Sequence, residues 1–180
     1  MNMPGMPVVA AAFCALTASA QAGVIVYVRP SADQVLPGES FTVQLRADID
    51  QPVVAWGLDL AFNSAVVQRS GPPAIGPAWF PAYAPDGDGL AGVAFPVPVV
   101  GANTLLATIV FEALTPGTCP LAASFTPGDL NEGFALDPVG FAQVSFIPAS
   151  VTVLPEPGLL LPAALPWIAR RRRPVSRPAC

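Results

Sequence analysis

Hydrophobic and polar residues alternate along several short stretches of the chain, which is the pattern of half-buried β-strands. In the segment SFTVQLRAD, the apolar positions are Phe41, Val43, Leu45 and Ala47, with polar residues between them. The stretch VVAWGLDLAF alternates in the same way, whereas LLATIVFEA is apolar on both faces and predicts a central strand covered on both sides. The segments VIVYV, PLAASFT, FAQVSFI and ASVTV predict further strands, and no stretch has a convincing helical period.

Turn signals separate these strands. They are Leu36-Pro37-Gly38-Glu39, Thr115-Pro116-Gly117, Thr126-Pro127-Gly128 and the PDGDG segment from Pro85 to Gly89. Many short strands joined by turns predict an all-β fold with two packed sheets. The 180 residues are enough for one domain with a real core.

Charge and composition exclude several classes of function. Between Gly23 and Leu154 there are three arginines and eleven acidic residues, a balance of −8, so phosphate would be repelled and nucleic-acid binding is not expected. The chain has no histidine, which excludes Ser-His-Asp and Cys-His catalysis and removes a usual zinc ligand. No spacing pairs the carboxylates that a glycosidase would need, so we predict no enzyme activity and assign no catalytic residue; the carboxylates considered are Asp59, Asp86, Asp88, Asp129 and Glu132.

The PDGDG loop and the aromatic residues beside it are the remaining candidates for ligand chemistry. Asp86 and Asp88 are weak candidates for binding Ca²⁺, with a plain turn as the favoured alternative, and no other cofactor is expected. Trp79, Phe80 and Tyr83 flank the loop and are candidates for stacking on sugar rings. The alternative is that these rings pack over the end of the sandwich.

The N-terminal segment, residues 1–22, has the features of a secretory signal peptide. An apolar run from Val8 to Leu16 precedes small residues at Ala20 and Ala22, which predicts cleavage between Ala22 and Gly23. The run is too short to span a bilayer. If Cys14 and Cys180 leave with the two ends, Cys119 is the single cysteine of the mature domain and no internal disulfide forms.

The C-terminal segment has three parts in a fixed order. Pro155-Glu156-Pro157 is followed by twelve apolar residues from Gly158 to Ala169, and then by Arg170, Arg171, Arg172 and Arg173. As a helix, the apolar run would cover about 18 Å of a hydrocarbon core about 30 Å thick, so it is marginal as a span. The arginines would stay cytoplasmic by the positive-inside rule. Residues that precede proline are extended, which suits recognition by a protease.

This order of Pro-Glu-Pro, apolar run and arginine cluster resembles the PEP-CTERM sorting signal, here residues 155–173, followed by a cytoplasmic tail, residues 174–180. The resemblance implies that exosortase processes the tail. The protein would be anchored transiently in the inner membrane and then released to the cell envelope or the extracellular matrix. A permanent tail anchor is the alternative.

The segments VRPSADQVLPGESFTVQLRADIDQPVVAWGLDLAFNSAVVQ and LLATIVFEALTPGTCPLAASF resemble a cohesin domain, and the similarity spans roughly Val24 to Val153. It implies a jelly-roll β-sandwich of about nine strands over residues 23–154. It also implies a non-catalytic binding or adhesion module whose partner is a dockerin-like module or an envelope polysaccharide.

Two surfaces are candidates for that binding. The strand from Val53 to Phe62 would present a flat surface of small residues to a protein partner, formed by Ala55, Gly57, Asp59 and Ala61. The loop with Trp79, Phe80 and Tyr83 would instead suit a glycan. The alternative to both is a structural spacer of the matrix with no specific ligand, and the choice between protein and glycan stays open.

Overall fold

A computed structural model describes residues 23–82 and 87–156. These ranges contain thirteen strands and no helix, so the all-β prediction is confirmed. No helix long and apolar enough to cross a bilayer is found in them. Several predicted positions lie outside the described residues, namely Ala20, Ala22, Tyr83, Asp86, Pro157, Arg170, Arg171, Arg172 and Arg173.

Six of the thirteen strands have only two or three residues, which is why the count exceeds the nine expected. In chain order the strands are β1 Gly23–Pro30, β2 Gln34–Val35, β3 Ser40–Gly57, β4 Asp59–Ala61, β5 Val67–Arg69, β6 Ala74–Ile75, β7 Phe80–Pro81, β8 Ala91–Val93, β9 Val99–Ala113, β10 Gly117–Ser124, β11 Gly133–Leu136, β12 Gln143–Ile147 and β13 Ala149–Val153.

The strands form two sheets packed as a jelly-roll β-sandwich. In the larger sheet, the 18-residue β3 pairs with β1 and β9 along its first part, and with β11 and β8 near its end. Strand β12 pairs in parallel with β1, strands β5 and β6 pair with β9, and β7 pairs with β8. The smaller sheet has the order β2-β13-β10-β4.

The core lies between the sheets and follows the alternation read from the sequence. Every predicted inward residue of the first part of β3 is buried, namely Phe41, Val43, Leu45 and Ala47. They pack in one cluster with buried residues of the smaller sheet, namely Cys119, Leu121, Ala123, Val151 and Val153. Each large apolar side chain buried in this way stabilises the fold by about 1.5–3 kcal/mol.

Two predicted turns close with glycine in the left-handed region. Gly38 has φ +80°, and the Glu39 N–H donates to the Leu36 carbonyl at 3.1 Å. Gly128 has φ +91°, and the Asp129 N–H donates to the Thr126 carbonyl at 3.1 Å. Both have glycine at the third position of a Pro-Gly turn, where a side chain would be strained.

Strand β9 is central in its sheet, but the prediction that both its faces are covered is wrong. Ala107, Ile109 and Phe111 face the core and are buried, whereas Val110 faces outward and is 37% exposed. Strands β5 and β6 continue the sheet beside β9, so they satisfy its edge without covering its outer face.

The prediction of one strand from Val53 to Phe62 is also wrong, because the chain changes sheets within it. Strand β3 ends at Gly57, and β4 pairs with β10 in the smaller sheet. Leu58 is buried at the crossing, and its N–H donates to the Leu90 carbonyl at 3.1 Å. Val54 forms a β-bulge: Ala55 lies opposite Ala135 and Val53 lies opposite Leu136, so Val54 has no partner residue in β11. As a result the side chain of Val53, and not that of Val54, is buried in the core.

Candidate binding face on the larger sheet

Five apolar residues form a row across the end of the larger sheet. Phe80 lies opposite Val93, Val93 opposite Ala55, and Ala55 opposite Ala135. An isolated bridge then joins Ala135 to Phe141. Directly opposed residues project from the same face of a sheet. We call this set the apolar row.

The apolar row has a low centre between two exposed rings. Phe80 is 61% exposed and Phe141 is 60% exposed, while Ala55 and Ala135 are half-buried between them. The centre belongs to a shallow depression of about 230 Å³, at whose margin Leu130 is exposed. A concave floor of small side chains between large apolar ones is suited to receiving a protruding apolar side chain.

The opposite face of the same strands is packed with aromatic residues. Trp56 lies opposite both Gly92 and Phe134, and Trp56 and Phe134 are buried. The indole of Trp79 packs on Trp56, and neither indole N–H has a hydrogen-bond acceptor among the described residues. A Cβ on Gly92 would lie 2.6 Å from Trp56 Nε1, so only glycine fits there. This packing holds the floor of the row rigidly in place.

More exposed apolar side chains lie beside the row. Phe95 and Val97 lie in the connection from β8 to β9, and the Ala94 N–H ties that connection to the Val54 carbonyl at 2.8 Å. Val139 lies in the connection from β11 to β12, where the Asp137 N–H donates to the Pro52 carbonyl at 2.9 Å. Both connections therefore adjoin the last part of β3. These exposed apolar residues therefore lie in connections next to the strand that contributes Ala55 to the row.

Of the four residues predicted to form a protein-binding face, only Ala55 belongs to the apolar row. Gly57 is buried, and a Cβ there would lie 2.3 Å from the Asn131 carbonyl oxygen. Asp59 and Ala61 belong to β4 in the smaller sheet, and Asp59 accepts a hydrogen bond from Thr126 Oγ1 at 2.7 Å. The predicted four-residue face is wrong because the chain changes sheets at Leu58.

The three aromatic residues considered for glycan binding have different positions. Trp79 is only 5% exposed, so the prediction that its ring stacks on sugars is wrong, and the alternative of packing over the sandwich applies. The backbone N–H of Trp79 donates to the Gly76 carbonyl at 3.0 Å, which turns the chain so that the indole points inward. Phe80 is exposed and begins the apolar row, and Tyr83 lies outside the described residues.

Asp88 is engaged in shaping its own loop. Its Oδ1 accepts the Leu90 N–H at 2.7 Å, and its backbone carbonyl accepts a hydrogen bond from Arg69 Nη2. A guanidinium at this loop opposes the binding of a second cation. Within residues 23–82 and 87–156, no three His, Cys, Asp or Glu side chains are grouped so that they could hold a metal.

The other carboxylates considered for catalysis hold the connection between β10 and β11. Asp129 Oδ1 accepts the Asn131 N–H at 2.8 Å, and Glu132 Oε2 accepts the Thr126 N–H. With the bond from Thr126 to Asp59, these contacts fold the segment that presents Leu130 beside the apolar row. They are the contacts of a turn, in which side-chain oxygens satisfy backbone donors.

Comparisons with known proteins place the chain in a fold class. No protein-family model and no curated protein sequence matches it. Several solved structures with the same fold are cohesin modules. One is from a family 33 glycoside hydrolase of Clostridium perfringens, with TM-score 0.59 and 10% identity over 75% of this chain and 99% of that chain. The seventh ScaB type I cohesin of Pseudobacteroides cellulosolvens has TM-score 0.56 and 12% identity over 76% and 96%.

A third structure, the third cohesin ScaC of Acetivibrio cellulolyticus, was solved in complex with the ScaB dockerin. It has TM-score 0.53 and 11% identity over 73% of this chain and 99% of that chain. The chain therefore has the cohesin fold, as its sequence resemblance predicted. At identities this low, the likeness extends to the fold alone.

Proposed function

We propose that this chain is an exported, non-catalytic binding module that docks a partner protein on the apolar row. The observation that carries the proposal is the row itself, from Phe80 through Val93, Ala55 and Ala135 to Phe141. Exposing two phenylalanine rings around a shallow apolar floor to water is unfavourable, and such a patch is typical of a surface that a partner covers. Apolar anchors at the centre of a patch supply most of the binding energy in protein interfaces.

A protein partner suits this surface better than a glycan does. Among the described side chains that line the depression, Asn131 carries the single polar group outside the buried indole of Trp56. Its amide nitrogen already donates to Asp129 Oδ1 at 2.8 Å. Sugar recognition needs several polar groups for the hydroxyls as well as rings for stacking, whereas apolar side chains of a protein need only the floor and the two rings.

A dockerin-type module is the first partner to test. The support is the shared fold, since the cohesin ScaC of that fold was solved with a dockerin. The domain is also acidic, with Asp129, Glu132 and Asp137 on the connections that flank the row. A partner with an apolar anchor and basic residues around it would therefore be complementary.

We propose further that the C-terminal segment is processed by exosortase after export. Strand β13 ends at Val153, and the last backbone bond of the sheet joins the Leu154 N–H to the Val35 carbonyl at 2.8 Å. Pro155 and Glu156 follow directly and are exposed. A recognition sequence that begins where the folded domain ends is accessible to a protease without unfolding of the domain.

The test compares two variants of the protein in which an alanine is replaced by arginine. Ala55→Arg places a charge in the centre of the row, and Ala61→Arg places the same charge at the exposed end of β4 in the other sheet as the matched control. Binding to a panel of purified dockerin modules and to a glycan array is measured by titration. We expect saturable dockerin binding that Ala55→Arg abolishes and Ala61→Arg retains.

A second variant protects the test against misfolding. Phe141→Ala removes an exposed ring and should weaken binding at least tenfold without lowering the unfolding temperature. Glycan binding that survives Ala55→Arg would contradict the docking proposal. Absence of saturable binding to either panel would favour the structural spacer.

A further inference from the structure

The backbone N–H of Gly23 donates to Asp50 Oδ2 at 2.9 Å. Gly23 is the first residue of β1 and lies opposite Gln143 of β12, so its nitrogen lies at the end of a strand that is paired between β12 and β3. It is also the residue that becomes the N-terminus if the signal peptide is removed after Ala22.

We propose that signal-peptide cleavage creates an ammonium group at Gly23 that forms an ion pair with Asp50. Export would then add a charged contact at the start of β1. In the cleavage step, a signal peptidase hydrolyses the Ala22–Gly23 peptide bond. Water supplies the hydroxyl of the new Ala22 carboxyl group and a proton to the Gly23 nitrogen. The free amine, with an ordinary pKa of about 7.7–8.0, then takes a further proton at neutral pH. The proposal rests on the export part of the proposed function.

The surroundings of Gly23 have room for an ammonium group and suit its charge. Two open depressions of about 270 and 340 Å³ adjoin Gly23, and Asp50 lines both of them. Asp48 lines the larger one, while Gln143 and Ser145 line the smaller one. The ammonium group therefore meets carboxylates and neutral polar groups.

The charged groups of the neighbouring strands leave Asp50 available. On β1, Arg29 stacks over the ring of Tyr27, at 5.2 Å from its centroid. On β3, Arg46 donates to the Asn103 carbonyl at 2.9 Å, and Asp48 accepts bonds from Tyr27 and Asn103. Strand β12 contributes no titratable side chain beside Gly23, since Gln143 and Ser145 are neutral. Asp50 is thus the carboxylate with which the new ammonium group pairs directly.

The ion pair has a definite pH window. An amine beside a carboxylate has a raised pKa in the folded state, so its stabilisation is complete below the ordinary value of about 7.7–8.0 and disappears as the pH rises through the folded value. The effect of cleavage on stability should therefore be present at neutral pH and absent well above the pKa of the folded-state amine.

The experiment uses the full chain with residues 17–22 replaced by a recognition sequence whose protease cuts directly before a glycine. The stability of the same preparation is compared before and after cleavage. Asp50→Asn is the test variant, and Asp33→Asn, which changes an exposed carboxylate elsewhere, is the control. We expect cleavage to raise the denaturant midpoint at pH 6 in the unmodified and Asp33→Asn chains, and to have no such effect at pH 10 or in Asp50→Asn. The amine pKa, followed by NMR, should rise by about half a unit and return to normal in Asp50→Asn.

Two results would overturn the proposal in different ways. An amine that titrates normally in the folded chain, or an equal gain of stability in Asp50→Asn, would exclude the ion pair. An exported protein whose N-terminus, determined by mass spectrometry, is not Gly23 would exclude the processing step. Neither result bears on docking at the apolar row, which is tested by binding.

Discussion

The indole rings of Trp56 and Trp79 pack edge to face beneath the apolar row, with centroids 6.2 Å apart and planes at 80°. Trp56 lies in β3, and Trp79 directly precedes β7. Their contact fastens the β7 end of the sheet to the core, and with it the exposed Phe80. The buried Trp79 thus stabilises the part of the sheet from which the next residue, Phe80, is exposed.

Replacing Trp79 by alanine should lower the free energy of unfolding by about 3–5 kcal/mol, because a buried aromatic side chain leaves a cavity. Phe80→Ala is the control one residue away, and it should change stability by less than about 0.5 kcal/mol because the ring is exposed. Urea denaturation followed by circular dichroism measures both. Similar small losses in the two variants would contradict the packing of Trp79.

The Asp48 carboxylate should make stability depend on pH in the acidic range. The Asn103 backbone N–H, donating at 2.6 Å, lowers the Asp48 pKa most, and the Tyr27 hydroxyl, donating at 2.8 Å, lowers it further. A lowered pKa gives stabilisation that is present above the unfolded value of about 3.9 and lost as the pH falls through the folded value.

Asp48→Asn should therefore destabilise the domain at pH 7, and the difference from the unmodified chain should shrink below about pH 4. Denaturant midpoints measured from pH 2 to pH 8 test this, with Asp33→Asn as the control. A difference that stays constant over the whole range would show that the charge of Asp48 does not contribute.

Cys119 should be unreactive in the folded domain and reactive after unfolding. The side chain is fully buried, and its Sγ accepts the Asn63 N–H at 3.2 Å. A buried thiol outside an electropositive site is inert. Alkylation followed by intact mass measurement should add no label to the native mature protein and one label to the denatured protein without reductant. Two labels would mean that Cys180, and with it the tail, had been retained, and no label on a denatured monomer would contradict a free thiol.

The C-terminal segment should fail in two distinguishable ways when its parts are changed. Replacing Pro155 and Pro157 by alanine should leave the unprocessed precursor in the membrane fraction, because the extended recognition segment is lost. Replacing Arg170, Arg171, Arg172 and Arg173 by serine should instead let the tail cross the membrane. Fractionation and intact mass measure both. An unchanged mature mass in the proline variant would show that the segment is a plain tail anchor and not a sorting signal.

Part of the fold could be predicted because it depends on local pattern. The alternation from Phe41 to Ala47 predicted the buried face of β3, since successive side chains of a strand point to opposite sides. The Pro-Gly turns were predictable because glycine adopts the left-handed conformation at Gly38 and Gly128 without steric cost. Of the apolar row, the sequence indicated Ala55 as an outward small residue and Phe80 as an exposed ring, although it assigned Phe80 to a glycan site.

The rest of the apolar row depends on residues distant in sequence. The apolar row joins Ala55 to Val93, Ala135 and Phe141, and no local pattern indicates which strands become neighbours. The Asp-Pro-Val-Gly turn before Phe141 was the one signal in the sequence that could have placed this residue beside β11.

By itself, the sequence determined the all-β class, the inward face of the first part of β3 and the turns at Gly38 and Gly128, because strand alternation and turn chemistry act over a few residues. Only the tertiary structure decided that the chain changes sheets at Leu58, that Trp79 is buried while Phe80 is exposed, and that Gly23 meets Asp50. These outcomes depend on strand pairing and close packing between residues far apart along the chain. Contacts of that kind are selected by the packing of the whole core and cannot be inferred from any single segment.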